Sequence, residues 1–134
     1  MVKISKSRVD LENARLEQAI VKRYHETVVV VAASATTTFD ISSGNVFNLS
    51  QNTNISVVNV TNPTASGNST SITIIRTKDN TATPRTIVWP AAFIWPGGVE
   101  PTLTQTANCV DIITAFTLNG GTTYLAFAVG LDMR

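Results

Sequence analysis

Short runs of β-branched and aromatic residues recur from Thr27 to the C-terminus, separated by clusters of Gly, Asn, Asp and Pro. Such runs are typical of β-strands, and the clusters favour tight turns because Gly and Asn tolerate a positive φ. The runs are TVVVVAASA, TTFDIS, NVFNLS, NISVVNV, SITIIRT, RTIVWP, CVDIITAFTL and TYLAFAVGL. About seven or eight short strands at this spacing predict an all-β body over residues 27–134, built as a jelly-roll-like β-sandwich.

The alternation of side chains along a strand assigns its residues to two faces. The predicted faces are Ile72, Ile74 and Arg76 against Thr73, Ile75 and Thr77; Ile55, Val57 and Asn59 against Ser56, Val58 and Val60; and Ile112, Thr114 and Phe116 against Ile113, Ala115 and Thr117. Neither face of these strands is fully polar. Apolar side chains therefore remain outside a single sandwich core, which predicts that some of this surface is covered by oligomerisation.

The segment before the body has a helical rather than a strand period. Ser7 with Asp10 three residues later resembles a capping box. Val9, Leu16 and Ile20 then follow a helical spacing that, with Asn13 and Arg23 or Tyr24, places them on one face. The stripe is too thin and too short to be stable alone, so residues 1–26 are predicted to form a helical arm that packs on a partner.

Charge divides the chain at the same boundary. The net charge is +1, but ten of the nineteen charged residues lie in residues 1–26. The body has few Lys and Arg, and they are not interleaved with its aromatic residues, so we expect no nucleic-acid partner. No apolar run approaches the roughly 20 residues of a membrane span, and the N-terminus lacks a signal-peptide core. We expect synthesis in a host cytoplasm and no membrane partner.

Groups that could perform chemistry are sparse and scattered. Cys109 is the only cysteine and His25 the only histidine, so neither a disulfide nor a zinc site is expected. Cys109 is predicted to be a buried structural thiol, and Asp111 to point inward. Catalysis requires convergent titratable groups, and the acidic residues of the body share no short motif. A glycosidase-like pair of carboxylates stays an open alternative, but the expectation is a protein that is not an enzyme and has no cofactor or metal.

The stretch IVWPAAFIWPGGVEPT contains both tryptophans of the chain. Each Trp-Pro pair restricts the preceding residue and removes an amide donor, so the strand before it must stop or lie at a sheet edge. Gly97 and Gly98 then permit a turn that other residues resist. The structural interpretation is that Trp89 and Trp95 fill the space between loop and sheet as apolar plugs. The functional alternative is a rigid platform on which sugar rings of a host glycan stack.

These residues also carry a family likeness. The segment RTIVWPAAFIWPGGVEPTLTQTANCVDIITAFTLNGGTTYLAF, with DISSGNVFNLSQNTNISVVNVTNP upstream, resembles a β-domain of tailed-bacteriophage virion proteins, especially the tail-fibre and other structural proteins of marine phages and cyanophages. The likeness covers most of the body, and its specific part is the Trp-Pro, Trp-Pro-Gly-Gly, Pro-Thr-Leu-Thr block. In long fibres this domain tends to follow hundreds of residues, whereas here it follows the arm of residues 1–26.

The resemblance implies a structural protein of the virion. We expect a head decoration or cement protein whose body forms a homotrimer on the capsid surface. Its arm would bind the major capsid protein or another virion protein through Val9, Leu16, Ile20 and Arg23. The alternative is a short tail-fibre or baseplate component that binds a host-surface glycan. A glycan-degrading enzyme is the third hypothesis.

Overall fold

The computed structural model of the protein describes Ile20 and residues 22–134, and it confirms an all-β body. Eight strands follow one another, with short 3-10 turns at Ile41–Ser43 and Pro96–Gly98. The strands are β1 (Val28–Ala32), β2 (Thr36–Asp40), β3 (Val46–Gln51), β4 (Val57–Thr61), β5 (Thr70–Lys78), β6 (Phe93–Ile94), β7 (Val110–Thr117) and β8 (Tyr124–Met133). Most of the predicted helical arm lies outside the described residues, and the arm residues from 22 to 26 are exposed and form no regular secondary structure.

The first five strands wind as a flattened coil. The chain alternates between two sheets, so that β1, β3 and β5 stack in parallel in one sheet and β2 and β4 stack in parallel in the other. β1 with β2 and β3 with β4 form two turns of this coil. β5 begins a third turn, in which Ile87 forms a parallel bridge with Ile55. A jelly roll is built from antiparallel strands. The predicted jelly-roll topology is therefore not confirmed, although two sheets do enclose one core.

The last strands complete the larger sheet, and among them only β7 runs opposite to β1, β3 and β5. β7 runs antiparallel to both β5 and β8, and the two-residue β6 adds to β8 in parallel. The large sheet thus has the order β1-β3-β5-β7-β8-β6. The turn between β7 and β8 depends on Gly120 and Gly121, whose φ values are +67° and +83°. It is fastened by Asn119, whose side-chain oxygen accepts a hydrogen bond from the backbone N–H of Thr123 at 3.0 Å.

The core lies between the two sheets. Phe39 of β2 and Phe47 of β3 meet across it edge to face, with ring centroids 5.1 Å apart. The period-2 prediction for β5 is confirmed, since Ile72 and Ile74 are buried and the alternate residues are only partly covered. The fully buried apolar side chains at the centre of the core include Phe47, Leu49 and Ile55.

The predicted shared face of Ile55 and Val57 is wrong. Ile55 is fully buried, whereas Val57 is 46% exposed. The backbone N–H groups of Ser56 and Val57 both donate to the carbonyl oxygen of Ala35, at 2.9 and 3.0 Å. These two hydrogen bonds to one carbonyl lie just before β2 and β4 begin to pair at Thr36 and Val57, and Ile55 precedes β4, so the alternation of β4 does not extend back to Ile55. Val58 then takes the inward position in β4.

The large sheet has an outer face, which we define as its side turned away from the core. Strand pairing and burial place on it Val28, Val30, Ala32, Val46, Asn48, Ser50, Ser71, Thr73, Ile75, Thr77, Ile94, Val110, Ile112, Thr114, Phe116, Leu125 and Phe127. Most of these side chains are apolar, and none of them is charged. No other element among residues 22–134 covers this face, because the small sheet packs on the opposite side.

Candidate functional site

The tryptophan loop forms an aromatic cluster at one end of the core. Trp89 stacks on Phe93 with ring centroids 5.3 Å apart and meets Trp95 edge to face at 5.4 Å. Phe93 also stacks on Tyr124 of β8 at 5.3 Å. Contacts of this kind add to the area that large aromatic rings bury. The loop is therefore fixed to the large sheet by ring packing.

The prolines and glycines shape the path of this loop. The segment before the loop pairs with Ile55, whose N–H donates to the carbonyl of Thr86 at 3.0 Å and whose carbonyl accepts from the N–H of Val88 at 2.9 Å. This pairing ends at Pro90, which has no N–H to continue the ladder. Gly97 and Gly98 both have positive φ, +65° and +72°, and no neighbouring atom would touch a Cβ at either position. Backbone conformation, not crowding, is thus the reason for glycine here.

Burial decides how the two indoles can be used. Trp89 and Trp95 are each only 6% exposed, and Nε1 of Trp95 has no hydrogen-bond partner among the described residues. A platform for sugar stacking needs an open ring face. The burial of both rings supports the structural interpretation of this loop.

Two open clefts border the loop. One, of about 200 Å³, is lined by the edge of Trp89 together with Arg85, Glu100, Thr102 and Gln105. The other, of about 220 Å³, lies between β4 and the Pro90 turn and is largely apolar, with Val58, Val60 and Phe93 among its walls. The first cleft offers charged and amide groups that can bind hydroxyl groups, whereas the second offers few.

A fully buried ion pair ties three parts of the body together. Nη1 of Arg76 in β5 lies 2.7 Å from Oδ2 of Asp111 in β7, and both side chains are completely buried. The same guanidinium donates from Nε to Gln51 at 2.6 Å and from Nη1 to the carbonyl of Thr104 at 2.8 Å. Its Nη2 has no partner among the residues described. The pair occupies the end of the core, and every contact that it makes is internal.

Asp111 accepts hydrogen bonds from two further chain segments. The N–H of Thr104 donates to it at 2.8 Å and the N–H of Asp132 at 3.0 Å. Burial alone would raise the pKa of this carboxyl, but these hydrogen bonds and the charge of Arg76 outweigh burial, and the pKa lies below its usual range. The inward orientation predicted for Asp111 is confirmed, and both of its carboxylate oxygens accept hydrogen bonds from other parts of the body.

A second cluster of charges lies beside the first. Nζ of Lys78 is buried, donates to Asp79 at 2.9 Å and to the carbonyl of Thr81 at 2.6 Å, and Arg85 donates to Asp79 from Nε at 3.1 Å. Hydrogen bonds from Arg85 and then Lys78 hold the pKa of Asp79 well below its usual range. Local sequence does not reveal these partners of Asp79. Period 2 does place Lys78 on the buried face of β5 after Arg76, and this signal was available in the sequence.

The remaining candidates for chemistry do not converge. Cys109 is buried, and burial raises the pKa of its thiol, while His25 is exposed. Within residues 22–134, no three His, Cys, Asp or Glu side chains are placed to hold a metal ion. In the same part of the chain, no helix has the length and apolar character needed to cross a bilayer.

The predicted partner-binding residues of the arm are only partly described. Val9 and Leu16 lie outside the described residues. Ile20 is 89% exposed, and Arg23 is also exposed. The end of the arm that the structure does describe is therefore accessible to a partner.

Comparison with known proteins gives no match: no family model, no curated protein and no solved structure is similar to this chain.

Proposed function

We propose that this protein is a non-enzymatic structural protein of a tailed-bacteriophage virion, and that it decorates the head. Its body would form a homotrimer on the capsid surface, and its helical arm would bind the major capsid protein. The observation that carries the proposal is the division of the molecule. A rigid β body with an uncharged outer face follows an arm that is charged and, where described, exposed.

The interior of the body supports a structural role. Its buried charged groups form hydrogen bonds with neighbouring strands and loops of the body. These groups are Arg76, Lys78 and Asp111. The residues that carry the resemblance to phage virion proteins, Trp89 and Trp95 above all, are packed into the core. The Trp-Pro motif therefore fixes a loop to a sheet, which suits a protein with a structural role.

The arm supports attachment to another protein. Ten of the chain's nineteen charged residues lie in residues 1–26, together with a narrow apolar stripe that cannot stabilise a helix alone. Such a segment gains order when it binds. The capsid surface is the partner that the proposal requires.

Removing the arm tests this attachment. A variant that lacks residues 1–24 should remain folded and oligomeric but should no longer bind capsids of its phage in a co-sedimentation assay. Leu16→Asp should weaken binding in the full chain, because it places a charge in the apolar stripe, whereas the control Glu17→Gln lies off the stripe and should bind normally. Full binding by the truncated protein would refute the role of the arm.

Copy number separates a head protein from a tail protein. A decoration protein should be present in purified virions in fixed proportion to the major capsid protein, measured by gel densitometry. A copy number as low as that of tail components would instead place it in the tail.

The second candidate function is a short tail-fibre or baseplate component that binds host glycan. The observation that favours it is the open cleft of about 200 Å³ beside Trp89, where the exposed carboxylate of Glu100 and the hydroxyl of Thr102 can bind sugar hydroxyls. Under this hypothesis the purified body should bind host cells or a glycan array, and Glu100→Ala should abolish that binding without changing stability. Glu100 is exposed, so this substitution leaves the core intact.

A further inference from the structure

The outer face of the large sheet exposes many apolar side chains and no charged ones. Its middle is formed by β5, β7 and β8, where Ile75 and Ile112 lie side by side and Phe116 stacks on Phe127 with ring centroids 6.3 Å apart. Phe127 and Leu125 remain 40% and 41% exposed. Charged side chains of β5 and β7, such as Arg76 and Asp111, all point to the opposite side.

The size of this face is that of an interface. Strands lie about 4.8 Å apart and rise about 3.3 Å per residue, so the five longer strands span roughly 24 Å by 25 Å. That corresponds to about 600 Å² of flat area on each copy. Two such faces together exceed the roughly 1,000 Å² that a specific interface needs. The apolar side chains make up most but not all of this area, and exposed apolar patches of several hundred Å² often mark a binding surface.

The chemistry of the face restricts what can cover it. A partner surface must also lack charge, because a charge buried against these side chains would be left unpaired. The arm of the same chain is rich in charge, and its apolar stripe is narrow. The outer face of another copy has the required composition and the same dimensions, and its β-branched and aromatic side chains can interdigitate with those of the first.

We propose that the outer face of the large sheet is the surface through which copies of this chain associate. The inference rests on the self-association in the proposed function and assigns it to β5, β7 and β8. Three such sheets can form the sides of a triangular prism. A side of about 24 Å sets each sheet roughly 7 Å from the axis, about 2 Å more than half of the spacing between packed sheets, which leaves room for large side chains. The side chains of the middle strands then fill the axis.

One charged substitution tests the surface. Light scattering on the full chain should give three times the 14.4 kDa mass of one chain across a micromolar dilution series. Phe127→Glu should shift dissociation to more than about 100-fold higher concentration, because the new charge would be buried between copies. The control Val99→Lys also adds a charge at an exposed apolar residue, but in the loop, and should leave the mass unchanged. Circular dichroism checks that both variants are folded.

Cross-linking tests the arrangement around the axis. Thr73 lies at the centre of the outer face, and Cys109 is buried, so Thr73→Cys adds one reactive thiol per chain. A short bis-maleimide should link only two chains of each trimer and leave a third unlinked. The control Ala91→Cys, which is exposed in the loop before β6, should give no cross-link.

The outcomes separate this inference from the proposed function. An oligomer that Phe127→Glu does not dissociate would overturn the assignment of the face while leaving self-association intact. Complete linkage of Thr73→Cys into pairs would support the face and overturn the trimer. A full chain that stays monomeric would overturn both the assignment of the face and the proposed self-association. The copy-number and capsid-binding measurements test the virion function independently of this result. A monomer that associates only after deletion of residues 1–24 would show that the arm covers the face, and it would also overturn the inference.

Discussion

Replacing Asp111 with Asn removes one charge from the buried ion pair and keeps the shape of the side chain. The carboxylate accepts hydrogen bonds through Oδ2 from Arg76 and Thr104, and through Oδ1 from Asp132. An Asn side chain has one oxygen and one NH₂ group. Whichever way it is turned, its NH₂ group faces at least one N–H donor, and the guanidinium loses its counter-charge.

The expected cost follows from complete burial of both partners. Breaking a buried pair by removing one partner costs about 3–5 kcal/mol, because the remaining charge is left uncompensated. The other acceptors of Arg76, the side chain of Gln51 and the carbonyl of Thr104, are neutral and cannot replace the charge of Asp111. For a chain of this length, a loss of that size lowers the melting temperature by roughly 10–20 °C.

Chemical denaturation at a fixed protein concentration measures the effect. Asp111→Asn should lower the free energy of unfolding by about 3–5 kcal/mol with an unchanged slope against denaturant. The double variant Arg76→Met with Asp111→Leu removes both charges and should be more stable than Asp111→Asn alone. A loss below about 1 kcal/mol for Asp111→Asn, the net value of an ordinary hydrogen bond, would refute the argument from burial.

Three further results are expected. Trp89→Ala or Trp95→Ala should each cost about 3–5 kcal/mol of unfolding free energy in denaturant titrations, since both rings are buried. A variant with normal stability that no longer binds host cells would instead identify a glycan contact. Because Arg85 holds the pKa of Asp79 below its unfolded value, this carboxylate stabilises the fold above about pH 4, and the contribution disappears as the pH falls further. Asp79→Asn should therefore flatten the dependence of the denaturation midpoint on pH between neutrality and pH 3, and an unchanged dependence would contradict this. Gly98→Ala should cost about 1 kcal/mol in thermal melts because of its positive φ, and a cost near zero would show that the turn can rearrange.

Local chemistry was enough to predict most of the strands and turns. The alternation in β5 and β7 is regular, so the buried sides of Ile72 and Ile113 follow from period 2 alone. The two-residue β6 lies between the two Trp-Pro pairs, where proline limits how far a strand can extend. The prediction failed at Ile55 and Val57, because β4 begins only at Val57 and the residues before it are held by the carbonyl of Ala35 in a neighbouring turn.

Strand pairing and the buried charges depend on tertiary structure. Nothing local distinguishes a strand that pairs in parallel from one that pairs antiparallel, so the sandwich was predicted but not the coil. Arg76 and Asp111 lie far apart in sequence and become partners only because β5 pairs with β7. The strand predicted over RTIVWP is not formed, since Ile87 makes only an isolated bridge between β5 and β6. The stack that joins the Trp loop to Tyr124 could not be derived from local sequence either.

In this coil the number of turns is independent of the strands that end it. Each turn of the coil pairs with the next through one strand in each sheet. Successive turns already differ in length, since Val28 pairs with Val46 in the first step and Val46 with Thr73 in the second. A turn duplicated before β3 would extend the stack without altering any contact between β5, β7 and β8. Body length can therefore change during evolution or engineering by whole turns, while the antiparallel strands that end the coil are inherited unchanged.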